Sequence, residues 1–236
     1  MKPFSWNKEG VGWFLDASKQ TGFHARLAQC LVPYLEPDDT LCDLGCGLGQ
    51  LDLELAPYIS KLTAVDTDAR VIEMLRREAA SRGMRNLDAR CEDAATMGGS
   101  FDVVLMSFFG RSGAEADRFE KLCRRKVIRI VNAANRGNLY PGGYRSIQKD
   151  TIPIVKSELE ARGRAYTLAV ETIEFGQPLR SRQAARQFVR SHAPNAEMRE
   201  IDAFLETHAV ETGRADFPFY LPNRKQIGVF VIDAPG

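Results

Sequence analysis

The sequence predicts an α/β fold, in which a doubly wound and mostly parallel sheet carries helices on both faces. Two observations lead to this prediction. Short apolar runs alternate with helical patterns, which is the element order of a parallel sheet. The first strand also ends in an acid followed by glycines at alternate positions, Asp43-Leu44-Gly45-Cys46-Gly47-Leu48-Gly49. Such a turn, placed between a first strand and its helix, is typical of a small-molecule site.

Hydrophobic periodicity places the individual elements. The apolar positions Leu27, Ala28, Leu31 and Leu35 predict a helix before the first strand. In the first half we predict strands at 40–44, 61–66, 86–91, 101–106 and 127–131, and helices at 49–58, 69–82 and 116–126. In the second half we predict helices at 152–162, 181–192 and 196–208, and strands at 166–175 and 227–232.

The chain of 236 residues is predicted to form one domain, 1–236. Residues 1–37 form an N-terminal helical segment, in which Trp6, Trp13 and Phe14 either make an aromatic lid or pack onto the sheet. Residues 178–224 form a helical insertion between the sixth and the last strand. If the last strand is antiparallel, the insertion leaves and re-enters at the ligand edge of the sheet. We therefore expect the insertion to form part of a substrate wall.

Composition argues against several classes of protein. There are 32 basic and 31 acidic residues, so no overall field attracts nucleic acid or an anionic membrane. The start MKPFSWNKEG lacks the apolar segment of a signal peptide, and no apolar run reaches membrane-spanning length. The sequence has five cysteines, an odd number, which indicates reduced thiols in a cytoplasmic protein. Cys42 and Cys46 bracket a glycine turn without a second ligand pair, so no metal site is expected.

The acid before the glycines indicates the kind of ligand. Glycines without Cβ let the backbone approach a ligand closely, and the helix that follows presents N–H groups to an anionic end. Asp43 would repel a pyrophosphate but suits a ligand that carries a cation. Gln50 stands where a dinucleotide fingerprint has its third glycine. The turn therefore favours S-adenosylmethionine over a dinucleotide.

Further acids follow the next strands. Asp66 ends the second strand, where a carboxylate can accept from both hydroxyls of a ribose. After the third strand, Cys91-Glu92-Asp93-Ala94 offers an acceptor for an adenine amine. After the fourth, Met106-Ser107-Phe108-Phe109-Gly110 faces the same crevice.

Together these features resemble the class I S-adenosylmethionine-dependent methyltransferases over about residues 25–135. The resemblance implies a seven-stranded sheet in the order 3-2-1-4-5-7-6 with strand seven antiparallel. It also implies that the helix before strand one folds over the cofactor, S-adenosylmethionine, whose product is S-adenosylhomocysteine. The residues it assigns to the cofactor, with Asp43 near the ammonium, are Asp43, Gly45, Cys46, Gly47, Gly49, Asp66, Thr67, Glu92, Asp93, Ala94 and Met106.

The acceptor side is less well defined by sequence. Ser107-Phe108-Phe109-Gly110 differs from the Asn-Pro-Pro-Tyr segment of amino-methylating members, and no Pro-Cys follows strand four, which argues against a covalent cytosine mechanism. Candidate substrate contacts, each with an alternative as a core or surface residue, are Ser107, Phe108, Phe109, Asn132, Asn135, Tyr140, Arg180 and Arg182. Arg182, Arg186 and Arg190, with Arg180, would form one basic helix face that either clamps an anion or is merely solvated.

Methyl transfer from a sulfonium needs alignment more than acid-base chemistry, so no catalytic residue is required. Among three histidines, His24, His192 and His208, His24 is the first candidate for a base, although each is equally an ordinary surface or capping residue. Arg124-Arg125-Lys126 is expected to end a helix and has no assigned function.

We therefore expect a cytoplasmic monomer or homodimer that methylates a small molecule, with nucleic acid an unlikely partner and no membrane association. Three alternatives stay open: a methyltransferase of RNA or protein, a non-catalytic S-adenosylmethionine-binding regulator, and an NAD-dependent oxidoreductase.

Overall fold

The computed structural model describes residues 6–110, 113–134, 139–142 and 150–234. Its strands, in chain order, are β1 (Thr40–Leu44), β2 (Lys61–Asp66), β3 (Leu87–Cys91), β4 (Phe101–Ser107), β5 (Cys123–Asn132), β6 (Tyr166–Glu174), β7 (Gln177–Leu179), β8 (Val210–Glu211), β9 (Phe219–Leu221) and β10 (Arg224–Asp233). Its α-helices are α1 (Lys8–Thr21), α2 (Phe23–Leu31), α3 (Gln50–Leu55), α4 (Ala69–Ser81), α5 (Ala114–Glu120), α6 (Ile152–Ala161), α7 (Arg182–His192) and α8 (Met198–His208).

Seven strands form the main sheet in the order β3-β2-β1-β4-β5-β10-β6. The pairs from β3 to β5 are parallel, whereas β10 runs antiparallel to both β5 and β6. The predicted fold class, strand order and antiparallel last strand are therefore confirmed. The carboxyl ends of β1, β2, β4 and β5 lie along one edge, and β10 begins at that same edge.

Side chains that alternate along β1 supply two separate hydrophobic cores. Leu41 belongs to the core formed with α2, α3 and α4, while Cys42 and Leu44 belong to the core beneath α5 and α6. This alternation is what a strand covered on both faces requires. Each face of the sheet is thus held by its own layer of helices.

The insertion has a core of its own. Helices α7 and α8 pack with a three-stranded sheet of order β7-β9-β8, around buried residues such as Phe188, Ile201 and Leu221. The helices agree with the predicted spans, but the sequence analysis missed all three strands. Strands of two or three residues are too short for a period-2 pattern to be recognised.

The predicted helix at 116–126 is wrong at its C-terminal end. Helix α5 ends at Glu120, and β5 already begins at Cys123. The three cations read as a helix end lie on β5 instead and pair with acids from other segments: Arg124 with Asp102, Arg125 with Asp39, and Lys126 with Asp233. Strand β5 extends back through these residues because its backbone pairs there with β4, with Cys123 opposite Phe101 and Lys126 opposite Val103.

The N-terminal segment contains two helices where the sequence indicated one. Gly22, at φ 63°, separates α1 from α2, a left-handed conformation that glycine adopts without strain. Leu35 lies beyond α2, in extended backbone after a short 3₁₀ turn. Trp13 on α1 packs edge to face on Phe188 of α7, with ring centroids 5.3 Å apart. No helix in the described ranges is long and apolar enough to cross a bilayer.

Candidate functional site

The loop after β1 adopts a conformation that only glycine accommodates readily. Gly45, Gly47 and Gly49 have φ values of 73°, 57° and 66°, in the left-handed region that other residues rarely enter. A Cβ at Gly45 would overlap the ring of Phe109, and one at Gly47 would lie 3.2 Å from the ring of Trp6. These glycines therefore permit both the turn and the close approach of two aromatic rings.

The end of β2 holds this glycine loop in place. The amides of Gly45 and Cys46 donate to the carbonyl of Val65 at 2.8 and 2.9 Å. The amide of Gly47 donates to Asp66 Oδ2 at 3.0 Å, and the amide of Asp68 donates to Asp66 Oδ1 at 2.9 Å. Asp66, predicted as a ribose-binding acid, thus also fixes the loop, a role that the sequence analysis missed.

Two carboxyl groups are buried beneath the loop. Asp43 at the end of β1 is 2% exposed, and Asp52 in the first turn of α3 is fully buried. Among the described residues, no donor forms a hydrogen bond of normal geometry with Asp43 Oδ1 or with either oxygen of Asp52. Burial and the neighbouring Asp52 raise the pKa of Asp43 well above its usual range. Burial likewise raises the pKa of Asp52 to about 7.

The end of β3 lies on the other side of Asp66. The amide of Glu92 donates to the carbonyl of Asp66 at 3.1 Å, which places Glu92 next to β2. Asp93 is exposed and caps a short 3₁₀ turn by accepting from the amide of Ala95 at 2.8 Å. Ala94 is buried and Thr67 is exposed. The predicted cofactor residues of β1, β2 and β3 therefore meet at one edge of the sheet.

An aromatic cluster, formed by Trp6, Phe14, Phe23, His24 and Phe175, lies beside the glycine loop. Phe14 contacts Trp6, His24 and Phe175, with centroid separations of 5.2, 5.2 and 5.7 Å. Phe23 and Phe175 are closer, at 4.4 Å. Because Trp6 also contacts Gly47, the cluster joins the N-terminal segment to the loop. Only Trp6 and Phe14 of this group were considered as a lid from sequence.

The structure places His24, the candidate base, within the aromatic cluster, where it is poorly suited to that role. Its Nδ1 lies 2.7 Å from the hydroxyl oxygen of Ser18, within the aromatic cluster. Burial, assisted by the positive charge of Lys225, lowers the pKa of His24 to about 3. So weak a base takes up no proton near neutral pH. His192 and His208 each lie near a helix C-terminus, with Nδ1 beside a backbone carbonyl of the same helix.

The segment after β4 divides between crevice and core. Phe108 has a φ of 54°, unusual for a residue with a side chain, and its ring faces Lys225 Nζ at 3.7 Å from the centroid. Phe109 covers Gly45 and packs against Phe119 at 5.7 Å. Met106 is 2% exposed in the core under α5. The side chain of Met106, predicted as a cofactor contact, therefore points from β4 into this core rather than toward the crevice.

The end of β5 lies beside Phe108 and Phe109. Ser107, the last residue of β4, pairs with Ile130 of β5 and is half-buried. Asn132 shares the walls of a small cavity of about 10 Å³ with Phe108 and Phe109. Tyr140 stacks instead on His192 of α7 at 6.0 Å, so the loop after β5 reaches the insertion. Asn135 lies outside the described residues.

The predicted basic face is only partly present. Arg180 precedes the N-cap Ser181, so it lies off helix α7, and it pairs with Asp16 at 3.0 Å. Arg186 pairs with Asp202 of α8 at 2.6 Å. Arg182 lines an open cleft of about 190 Å³ within the insertion, together with Ala185, Leu205, Glu206, Ala209, Glu211 and Phe219. Acids neutralise much of this face, and the cleft of Arg182 is built from insertion residues.

Sequence reasoning missed Asp52, Lys225 and Phe175. Asp52 was detectable in principle, since it lies in a run of apolar helix positions, Leu51-Asp52-Leu53. Lys225 and Phe175 approach the crevice only because β6 and β10 pair in the sheet, with Lys225 opposite Ile173. Nothing local in their sequence marks that placement.

Comparisons with known proteins agree with this geometry. A family model described as a methyltransferase domain matches residues 41–127. A cobalt-precorrin-6B C(15)-methyltransferase, named as probable, from Methanosarcina acetivorans is 33% identical over 107 residues, which are 43% of this chain and 58% of that protein. The 23S rRNA (uracil(1939)-C(5))-methyltransferase RlmD of Chromohalobacter salexigens is 31% identical over 139 residues, 52% of this chain and 28% of that protein. The chain thus spans less than two thirds of the length of either relative.

Among solved structures, the magnesium protoporphyrin IX methyltransferase ChlM from Synechocystis PCC 6803, with bound S-adenosylhomocysteine, has the same fold. Its TM-score is 0.54 at 14% identity, covering 97% of this chain and 89% of that one. The sheet order and the loop between β1 and α3 define a Rossmann-like ligand-binding domain. The match to the methyltransferase-domain model spans β1 to the middle of β5, residues 41–127, and so includes the glycine loop and the acids at the ends of β2 and β3.

Proposed function

We propose that this protein transfers a methyl group from S-adenosylmethionine to a small-molecule acceptor. The observation that carries the proposal is the placement of Asp43, the glycine loop and Asp66 at the adjoining ends of β1 and β2, inside the segment that matches the family model. The cofactor requires a partner for its cation, a backbone that can approach closely and an acceptor for its vicinal hydroxyls, and all three meet there.

The residues present fit the cofactor. Asp43 Oδ1 is a buried acceptor without a hydrogen bond, as expected of a group reserved for a cation. The carboxylate oxygens of Asp66 each accept one backbone amide and retain a second lone pair for a ribose hydroxyl. Glu92 and Asp93 lie at the next strand end, beside the position an adenine would take. Gly45, Cys46, Gly47, Gly49, Thr67 and Ala94 complete the wall.

The N-terminal segment is proposed to act as a cover. Trp6 lies over Gly47, and its carbonyl accepts from Arg70 Nη2 at 2.8 Å. Phe109 covers Gly45 in the same way. Since both rings stand where a ligand would approach the loop, we expect them to turn aside when the cofactor binds and to close over it afterwards.

When bound, S-adenosylmethionine supplies an electrophilic methyl carbon on a sulfonium leaving group. This chain's own contribution is alignment and exclusion of water. Phe108 and Phe109 wall the side of the crevice nearest β4, while Asn132 offers a polar contact beside them. Burial lowers the pKa of His24, so we assign it no role as a base and favour an acceptor that reacts without one.

The proposal is tested by radiolabel transfer. The protein is incubated with S-adenosyl-[methyl-³H]methionine and cell extract that has been separated by ultrafiltration into small-molecule and macromolecular fractions. Label in the small-molecule fraction, absent with Asp66→Ala, supports the proposal. Label confined to RNA or protein would overturn the acceptor class, which the match to RlmD makes the principal rival. S-adenosylhomocysteine binding without transfer to either fraction would indicate a non-catalytic regulator instead.

A further inference from the structure

The carboxyl pair Asp43 and Asp52 is unusual among the buried charged groups of this protein. The two side chains come from adjoining elements, the end of β1 and the first turn of α3. Both are buried, and Asp43 Oδ1 and the two oxygens of Asp52 find no donor among the described residues. Asp52 is also among the causes that raise the pKa of Asp43. Two neighbouring buried carboxyl groups are not both ionised without a large cost, and a hydrogen bond between them requires a proton, because an ionised carboxylate only accepts.

The surroundings of the pair provide no positive charge. Among the described residues, no lysine, arginine or histidine forms an ion pair with either carboxyl group. The nearest titratable neighbours are Cys42, Cys46 and Asp66, and Arg90 and Glu92 act on Cys42 from β3. Burial raises the pKa of both thiols, which stay neutral. At least one of the two carboxyl groups is therefore protonated, and the pair carries at most one negative charge.

We propose that Asp43 and Asp52 share one proton in the free protein and form the site for the cofactor's ammonium group. The carboxyl pair releases this proton when the cofactor binds. The inference rests on the proposed function. Asp52 is a positioning residue: the proton that the two carboxyl groups share links Asp52 to Asp43 and holds Asp43 beneath the glycine loop. A cation arriving at Asp43 supplies the charge that the pair lacks, and the proton leaves to the solvent.

Neutralisation of Asp52 separates this proposal from a merely structural role. In Asp52→Asn, the amide donates permanently to Asp43, which then stays ionised. We expect the wild-type protein to release close to one proton when it binds S-adenosylhomocysteine, and Asp52→Asn to release none. Isothermal titration calorimetry at pH 6.5 in two buffers of different ionisation enthalpy measures this number directly.

The dissociation constant provides a second readout. A single linked proton changes affinity by up to about tenfold for each pH unit. Between pH 5.5 and 6.5, the wild-type protein should bind S-adenosylhomocysteine several-fold more tightly at the higher pH, whereas Asp52→Asn should bind almost equally at both. The matched control Glu73→Gln, on the exposed face of α4, should behave as the wild type does.

A measurement on the unmodified protein guards against misfolding of the variant. Infrared difference spectroscopy should show the carbonyl band of a protonated carboxylic acid in the free protein and its loss on addition of S-adenosylhomocysteine. Binding without proton release, or the same release from Asp52→Asn, would overturn the inference while leaving the proposed function intact. Failure of the wild-type protein to bind S-adenosylhomocysteine at all would reject the proposed function, and the inference with it.

Discussion

Two groups of buried charges lie on either side of β4, and they are built in opposite ways. On the β5 side, Arg129 is 3% exposed and pairs with Asp150 at 3.0 Å and Glu158 at 2.8 Å. Glu120, 2% exposed, pairs with Arg162 and Arg164. On the β1 side, Asp43 and Asp52 are as deeply buried, and neither forms an ion pair with a lysine, arginine or histidine in the part of the chain that the structure describes. The first group is complete within the protein, while the second leaves a charge for a ligand to supply.

The difference suggests that the ion-paired group stabilises the fold, whereas the carboxyl groups without a counter-ion serve binding. A buried charge is tolerated when a partner offsets its desolvation, and it is strongly unfavourable when left alone. The paired network joins β5, α5 and α6 and holds the second half of the sheet together. The unpaired carboxyl groups instead make the β1 turn dependent on protonation or on a ligand.

Breaking the paired group should give the largest effect. Arg129→Met leaves Asp150 and Glu158 as buried acids without this cation. We expect the free energy of unfolding to fall by about 3–5 kcal/mol, the usual cost of removing one partner of a buried pair. Urea denaturation measures the loss. Arg77→Met, which removes an exposed i,i+4 pair with Glu73, serves as control and should change little; equal losses in the two variants would contradict the comparison.

Removing the acid at the end of β2 should weaken the cofactor site without unfolding it. Asp66→Ala loses both the ribose acceptor and the anchor of Gly47. We expect the free energy of S-adenosylhomocysteine binding to weaken by about 1–3 kcal/mol, the range for charge-assisted hydrogen bonds. Calorimetry at a fixed pH tests this. Unchanged affinity would show that the ligand does not reach the end of β2.

Neutralising one unpaired carboxyl should stabilise the protein at high pH. Because the pKa of Asp52 is raised from 3.8 to about 7 on folding, the folded state binds more protons than the unfolded chain between those values. The contribution of Asp52 to the free energy of unfolding is fully present below pH 3.8 and is lost as the pH rises through 7. Asp52→Asn should therefore raise the melting temperature by about 2–4 °C at pH 8, or about 1 kcal/mol at this chain length, with a smaller gain at pH 5.

Calorimetric melting at both pH values checks that prediction. A variant that is destabilised equally at pH 5 and pH 8 would mean that Asp52 contributes through packing rather than through its charge.

The smallest effect should come from the surface pairs of the insertion. Arg186 and Asp202 are both partly exposed, at 40% and 33% of the side chain, and ion pairs open to solvent contribute little. We expect Arg186→Gln to leave the melting temperature unchanged within experimental error. A clear loss of methyl transfer at unchanged stability would instead revive the anion-clamp interpretation of this helix face.

The same contrast explains what could be read from sequence. The β1 turn and the acid Asp66 at a strand end follow from local signals, namely glycine positions and apolar runs. The strand order was predicted only through the resemblance to a known family that these signals carry. The placement of Lys225 against Phe108, and of His24 among aromatic rings, depends on residues distant in sequence that meet only after the sheet forms. Prediction failed for Arg124–Lys126 for the same reason, because their strand conformation depends on backbone pairing with β4 and β10.

The three-stranded sheet of the insertion also has a consequence for protein engineering. Strand β7 follows β6 directly, and β9 precedes β10, with Gln177 paired to Leu221. The chain therefore enters the insertion at Gln177 and leaves it at Leu221, two residues that are paired between β7 and β9. The length and content of the insertion can vary without a change in the register of β6 and β10. We expect residues 178–220 to behave as an exchangeable module, through which a common methyl-transfer scaffold could be given different acceptors.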